Sequence, residues 1–334
     1  YASGPLIDGL LGLQVRGSLF DRQESDLTYG SGVEVSKRGP SPVDGRTHNL
    51  GARLTLTPHD DHDLSLDVER GRQVYNNDEC QLGTLDGLNR ACTAPATAAN
   101  GYDDELRFER EQIALTHTGR LGFGTLDSSL MHNTTETIGR TIPGTIGATG
   151  GDPRELETTN LVFDTKLVAP IGESHIATVG GQWWKAEMTD GIAQTEFEQK
   201  TWALFAEDEW RLRDDLALTL GARYDDHESF GGHVSPRAYL VWNTTDSWTL
   251  KGGISKGYKT PDLNDLHGGI NGVTGQGTII TIGNPDLDPE TTTSTEFGAY
   301  FDSLTGFSAN ATLFHNKFKD KIASGDPIVS PLCA

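Results

Sequence analysis

Apolar and polar residues alternate along most of this 334-residue chain. Trp248, Leu250 and Ile254, for example, alternate with Thr249 and Ser255. A period of two places one set of side chains on each face of a β-strand, whereas no comparable stretch shows helical spacing. The pattern predicts an all-β chain of about thirteen strands. We place them near 10–20, 46–57, 62–74, 106–118, 122–138, 155–169, 174–188, 198–213, 215–228, 232–243, 247–257, 290–302 and 305–319.

Many of these segments are ten residues or longer. Strands in globular sheets are usually about five or six residues long. A tilted strand of about ten residues spans the hydrocarbon core of a bilayer. Strand length therefore favours a transmembrane β-barrel.

The predicted connections alternate between short and long. The short ones lie near 58–61, 119–121, 170–173, 213–215, 244–246 and 302–305. The long, polar ones are 22–45, 75–105, 139–154, 189–197 and 258–289, and only 229–231 is short on that side. Strict alternation puts all long loops on one face, which is typical of an outer-membrane barrel with extracellular loops and periplasmic turns.

Aromatic residues near the predicted strand ends fit the girdles that such barrels place at the two membrane interfaces. They are Trp184, Trp210, Trp242, Trp248, Tyr300 and Phe301. A soluble β protein with an aromatic core is the alternative interpretation.

Composition narrows the choice of partners. The net charge is -21, which argues against nucleic acid as a partner. Mean hydropathy is -0.44, and no run approaches the roughly 18 apolar residues of a membrane helix. An odd number of strands near thirteen cannot close an antiparallel barrel, and open edges are not viable in lipid. We therefore expect further strands, and an N-terminal domain, outside this segment.

Cys80 and Cys92 fall in the same long loop, and their spacing without a nearby His favours a disulfide over a zinc site. Cys333 then has no partner in the sequence. His59 and His62 resemble a metal-binding pair but lie in a short turn, where charge is solvated, so we expect no metal site. No nucleophile motif supports catalysis.

Several stretches resemble TonB-dependent outer-membrane receptors. They are Leu204-Phe-Ala-Glu-Asp-Glu-Trp210, Leu220-Gly-Ala-Arg-Tyr-Asp225, Ser235-Pro-Arg237, Gly253-Ile-Ser-Lys-Gly-Tyr-Lys-Thr-Pro261, Gly283-Asn-Pro-Asp-Leu-Asp-Pro-Glu-Thr291 and Phe314-His-Asn-Lys-Phe-Lys-Asp-Lys-Ile322. The resemblance implies a segment of a 22-stranded barrel whose lumen is filled by an N-terminal plug. It also implies partners: TonB, acting with ExbB and ExbD through the plug, and the lipid and lipopolysaccharide of a Gram-negative outer membrane.

Within that family the chain is most similar to receptors for ferric enterobactin and other catecholate siderophores. The similarity lies in Tyr102-Asp-Asp-Glu-Leu-Arg-Phe-Glu-Arg110, Gln112-Ile-Ala-Leu-Thr116 and Gly139-Arg-Thr-Ile-Pro-Gly144. It implies that Arg107, Arg110 and Arg140 meet the anionic iron chelate. Iron would then be cargo, carried as a siderophore complex, and no intrinsic cofactor is expected.

Simple chemistry agrees with these arginines. Guanidinium is planar, always charged and weakly hydrated, so it pairs with catecholate oxygens and stacks on aromatic rings. The aromatic residues Tyr75, Tyr102 and Phe108 are secondary ligand-binding candidates. The alternative is that Arg107 and Arg110 only pair with glutamates along their own strand.

Two other functions remain open. Haem receptors of the same family resemble this chain at Tyr258-Lys-Thr-Pro261 and Asn284-Pro-Asp-Leu287, and they place an iron-ligating His between these motifs. His267 lies in that interval and is the alternative haem ligand. A passive, porin-like channel is the second alternative, and it would need neither plug nor TonB.

Overall fold

A computed structural model describes residues 1–24, 44–76, 102–142, 151–193, 195–274 and 279–329. The strands are β1 Ala2–Ile7, β2 Leu11–Arg22, β3 Gly45–His59, β4 His62–Asn76, β5 Tyr102–Leu121, β6 Gly124–Arg140, β7 Leu156–Ile171, β8 His175–Asp190, β9 Thr195–Arg213, β10 Leu216–His227, β11 Gly231–Thr245, β12 Trp248–Lys259, β13 Ile270–Thr274, β14 Ile279–Ile282, β15 Glu290–Asp302 and β16 Ser308–Lys319. One 3-10 turn, Leu263–Leu266, precedes β13. No helix in these ranges is long and apolar enough to cross a membrane.

Fourteen strands form one sheet in the order β1 to β12, then β15 and β16. Each strand pairs antiparallel with the next, and β13 and β14 form a separate hairpin within the connection between β12 and β15. The predicted all-β antiparallel fold is confirmed. Seven short connections lie at one edge of the sheet, at 8–10, 60–61, 122–123, 172–174, 214–215, 246–247 and 303–307, whereas the other edge has two short connections, 191–194 and 228–230, and all of the long ones. As predicted, the long connections therefore all lie at one edge of the sheet.

The strands differ from the sequence-based expectation in three places. β1 was not expected; it contains Pro5, which an edge strand tolerates, and β1 lies at the end of the sheet. The connection at 258–289 contains the β13–β14 hairpin. The connection at 189–197 shrinks to 191–194, because backbone pairing continues through charged residues that show no apolar face.

One face of the sheet is apolar and exposed. In register across β4 to β7 lie Leu66, Leu115, Leu130 and Phe163, which are 37%, 53%, 42% and 41% exposed. A soluble protein would bury such a row. An outward apolar face with a polar face turned to the lumen is the arrangement of a transmembrane barrel.

The polar, lumen-facing side contains side chains that reach across a whole strand. Arg16 on β2 lies opposite Gly51 on β3, which lies opposite Glu69 on β4. The Arg16 guanidinium passes over Gly51 and donates to Glu69 Oε2 at 2.8 Å and to Asp67 Oδ1 at 2.7 Å. A Cβ on Gly51 would lie 2.7 Å from Arg16 Nε, so glycine is what makes this contact possible.

Two further sets repeat this arrangement of a small residue between two long ones. They are Arg237–Gly221–Glu207 and Tyr239–Gly253–Glu296. Second-neighbour strands are about 10 Å apart, so only long side chains above a glycine can meet. On the lumen face, polar side-chain contacts therefore connect strands that are not direct neighbours in the sheet.

The aromatic residues predicted for the girdles divide between the two faces. Trp210, Trp242 and Trp248 are outward and about two-fifths exposed. Trp184 instead donates its indole N–H to Asn160 Oδ1 at 2.9 Å on the lumen face. Tyr300 is also on the lumen side, with Lys251 Nζ 4.6 Å from its ring centre. For these two residues the girdle prediction is wrong, because each side chain falls on the polar face of its strand.

Candidate functional site

The long-loop end of β4 and β5 brings three of the predicted candidates to the lumen face. Tyr75 packs edge-on against Phe108, with ring centres 6.1 Å apart. Arg110 is two residues from Phe108 on the same face of β5, and it donates to Gln112 Oε1 at 2.8 Å. The result is a cation on the same face as a pair of aromatic rings, toward the mouth of the barrel.

Arg107 lies on the opposite face of β5. It shares that face with Ile113 and Leu115, which are exposed on the outer side. Its Nε is 3.6 Å from Glu105 Oε1, an ion pair of the kind that the sequence offers as an alternative to ligand binding. Two arginines three residues apart on a strand cannot both point into the lumen.

Arg140 ends β6, and its backbone pairs with that of Tyr102. The preceding residue, Gly139, has φ +92°, and a Cβ there would lie 1.9 Å from the carbonyl oxygen of Glu105. Only glycine fits this kink, which sets the direction in which Arg140 leaves the strand. The side chain of Tyr102 lies outside the described residues.

The loop that follows Arg140 has an ordered stem. The Ile142 N–H donates to Asp152 O at 2.8 Å, and the Arg154 N–H donates to Arg140 O at 2.9 Å. The stem is fastened to the neighbouring loop by Arg154, whose guanidinium makes two bonds to the Asp190 carboxylate, at 2.8 and 2.6 Å.

Most of the buried apolar residues in the described ranges cluster at this end of the barrel. Leu106, Ile142, Ala186 and Ile192 are 2–5% exposed, and all lie in a connection at the long-loop edge or within five residues of one. Elsewhere the barrel wall is a single sheet, so its side chains have no second layer of secondary structure to pack against. Buried apolar residues therefore occur at the loop bases of β5 to β9.

His267 lies just after the 3-10 turn and contacts the lumen face of β9. Its ring meets that of Phe197 edge-on, with centres 5.7 Å apart. A Cβ on Gly269 would lie 2.6 Å from His267 Nε2, so the imidazole also packs over that glycine. The base of this loop thus folds inward over the lumen.

Comparison with known proteins identifies the family. The family described as "TonB dependent receptor-like, beta-barrel" matches residues 9–332. The chain belongs to this family. The receptor is 32% identical, over 96% of its length, to the iron-regulated outer membrane virulence protein of Vibrio cholerae, of which it covers 44%. It is 27% identical, over 96% of its length, to the ferric enterobactin receptor PirA of Pseudomonas aeruginosa, of which it covers 48%.

The crystal structure of the siderophore receptor PirA from Pseudomonas aeruginosa has the same fold. It matches with a TM-score of 0.75 and 23% identity, covering 98% of this receptor chain and 53% of that chain. The chain therefore spans about half the length of the relatives it matches. It is part of an outer-membrane β-barrel.

The lumen face of the receptor also contains polar residues that the sequence did not single out as site candidates. Arg223 donates to Gln182 Oε1 at 2.8 Å, and Gln182 donates to Asp164 Oδ1 at 2.7 Å. Nearby, the rings of His233 and Tyr258 stack 4.4 Å apart. Arg223 and Tyr258 do stand in the family-like motifs, but nothing in one sequence shows that they meet residues from other strands.

The predicted disulfide between Cys80 and Cys92 lies outside the described residues, as does Cys333. Around the His59–His62 turn, His62 stacks on His117 at 5.3 Å on the outer face. No group of three potential metal ligands occurs among the residues that the structure describes.

Proposed function

We propose that this chain is the barrel portion of a receptor that binds a ferric siderophore of the catecholate type and passes it across the outer membrane. The observation that carries the proposal is the placement of Arg110 on the same lumen face as the ring pair of Phe108 and Tyr75, toward the long-loop end. An anionic, aromatic iron chelate needs both kinds of contact.

Charge supports this assignment. In a chain of net charge -21, Arg110 faces the lumen and, among the residues that the structure describes, has no carboxylate as its hydrogen-bond acceptor. Its acceptor is the neutral amide of Gln112, so the positive charge of Arg110 remains available to an anion. Phe108 and Tyr75 would offer ring faces and edges to the catechol groups.

The relatives support the ligand class. The protein of Pseudomonas aeruginosa that matches 96% of this chain is named a ferric enterobactin receptor. We infer the same class of ligand here, with iron as cargo and no resident cofactor. Energy would come from TonB, with ExbB and ExbD, acting through a plug, and lipid and lipopolysaccharide would surround the barrel.

A binding screen of the full-length receptor tests the ligand class. Ferric enterobactin, a ferric hydroxamate, haem and cobalamin are titrated in turn against the purified receptor in detergent. We expect the ferric catecholate to bind most tightly. Binding of haem alone would refute the proposal.

Arg110→Ala tests the site. Charge-assisted hydrogen bonds contribute about 1.5–3 kcal/mol, so loss of Arg110 should weaken ferric catecholate binding by about one to two decades. Arg107→Ala is the matched control, because it removes the same charge from the outer face of the same strand. Equal losses in the two variants would contradict the assignment of Arg110 to the lumen.

The haem alternative depends on His267. The contacts of this imidazole with Phe197 and Gly269 place it in the base of the loop that folds over the lumen. If haem bound and His267→Ala abolished that binding while Arg110→Ala did not, the receptor would be a haem receptor.

A further inference from the structure

Arg154 and Asp190 form an ion pair that is nearly buried on both sides. Their side chains are 11% and 5% exposed, whereas the lumen pair of Arg16 and Asp67 leaves the arginine 30% exposed. The contact is bidentate, and Asp190 Oδ1 also accepts the backbone N–H of Ile192 at 3.0 Å. The Asp190 carboxylate therefore accepts hydrogen bonds both from the Arg154 guanidinium and from the backbone.

The pair joins two different loops. Arg154 stands between the 143–150 segment and the start of β7, and Asp190 is the last residue of β8. Two backbone bonds run beside it: the Arg154 N–H donates to Arg140 O, and the Gly191 N–H donates to Glu155 O, both at 2.9 Å. Together these contacts tie the ends of β6 and β8 to the start of β7.

A buried ion pair of this kind contributes more to a defined arrangement of the two joined segments than to the free energy of unfolding. Burying two charges costs about as much as their attraction returns, but removing one partner leaves the other charge uncompensated. The β7–β8 ladder is complete from Ile171 to Leu156 without this side-chain contact. What the pair adds is a fixed position for the loop stem above the end of that ladder.

We propose that Arg154 and Asp190 are positioning residues for ligand binding, acting as a lock that holds the stem formed by 140–142 and 151–154 at the mouth of the barrel. The inference rests on the proposed siderophore function. The backbone N–H of Arg154 holds the carbonyl oxygen of Arg140, and each of the two joined segments buries one isoleucine, Ile142 and Ile192. A stem that is ordered before the ligand arrives lowers the entropic cost of binding.

Asp190→Asn in the full-length receptor tests the lock. The amide keeps the shape of the carboxylate but leaves the buried guanidinium without a counter-charge. We expect roughly tenfold weaker binding of ferric enterobactin, in a barrel that still shows heat-modifiable migration on gels. Backbone amide exchange at 151–154 and 191–193 should become faster. Asp21→Asn is the matched control, since its pair with Arg46 is more than half exposed on both sides.

Rescue separates positioning from general damage. The exchanged pair, Arg154→Asp with Asp190→Arg, should recover at least part of the affinity and of the exchange protection. If Asp190→Asn fails to assemble, the apolar pair Arg154→Met with Asp190→Leu replaces it, and the same loss of affinity is expected. Faster exchange with unchanged affinity, in either variant, would overturn the proposal. If the unmodified receptor bound no ferric siderophore, the proposed function would fail instead, while the exchange data would still report whether the lock holds the stem.

Discussion

An arginine in place of Leu115 should obstruct assembly of the barrel. Leu115 is on the outer face of β5, flanked in register by Leu66 on β4 and Leu130 on β6. All three are partly exposed on the outer surface, which faces lipid in the membrane. A guanidinium at this position would have no carboxylate beside it in the row.

The depth of this site follows from the strand geometry. On the outer face of β4, polar residues resume at His62 and at Arg70, four residues on either side of Leu66. Eight residues at about 3.4 Å each, tilted by about 40°, span roughly 20 Å of membrane. Leu66 and its partner Leu115 therefore lie near the midplane. A cation there costs about 2–4 kcal/mol, which is roughly 30- to 900-fold in the equilibrium between folded and unfolded barrel.

Thr116→Arg is the matched control. Thr116 is the next residue along β5, and it faces the lumen between Ser65 and Ser129. Both variants are refolded into lipid vesicles, and the folded fraction is measured across a urea series by heat-modifiable migration. We expect Leu115→Arg to lose the stated free energy and Thr116→Arg to remain close to the unmodified protein. Equal urea midpoints for the two variants would refute the assignment of faces.

Two other predictions concern the lumen wall and the long loop. Gly51→Val should destabilise the barrel by about 1–3 kcal/mol, because the new side chain occupies the path of Arg16. Gly12→Val is the control and should leave the stability unchanged, since a Cβ there meets nothing closer than 4.0 Å. A Gly51→Val variant that is more stable than the unmodified protein in urea unfolding would contradict the prediction. Cys80 and Cys92 should form a disulfide, so a maleimide reagent should label neither in the folded, unreduced receptor, and labelling of both would exclude the bond.

The sequence alone was sufficient for the all-β antiparallel architecture and for thirteen of its strands. The period of two along β12 or β10 shows which side chains share a face, and a barrel wall one strand thick has no second layer to override that pattern. Loop lengths then showed which ends are extracellular. The resemblance to receptor motifs directed attention to Arg107, Arg110 and Arg140, which do lie at the long-loop end of the sheet.

The sequence was less sufficient where two neighbouring residues have the same chemistry. Trp183 and Trp184 differ by one position, and only the latter faces the lumen and bonds to Asn160. Arg107 and Arg110 are separated by three positions, so a strand turns them to opposite faces. The pattern contained this information, but the family resemblance gave both arginines equal weight.

Contacts between distant segments needed the tertiary structure. Arg16 meets Asp67 and Glu69 across an intervening strand because the register places Gly51 between them. The lock of Arg154 and Asp190 joins loops 36 residues apart, and both residues look like ordinary loop charges in the sequence. Alternation fixes the face of each residue, but only the register of the strands decides which side chains meet.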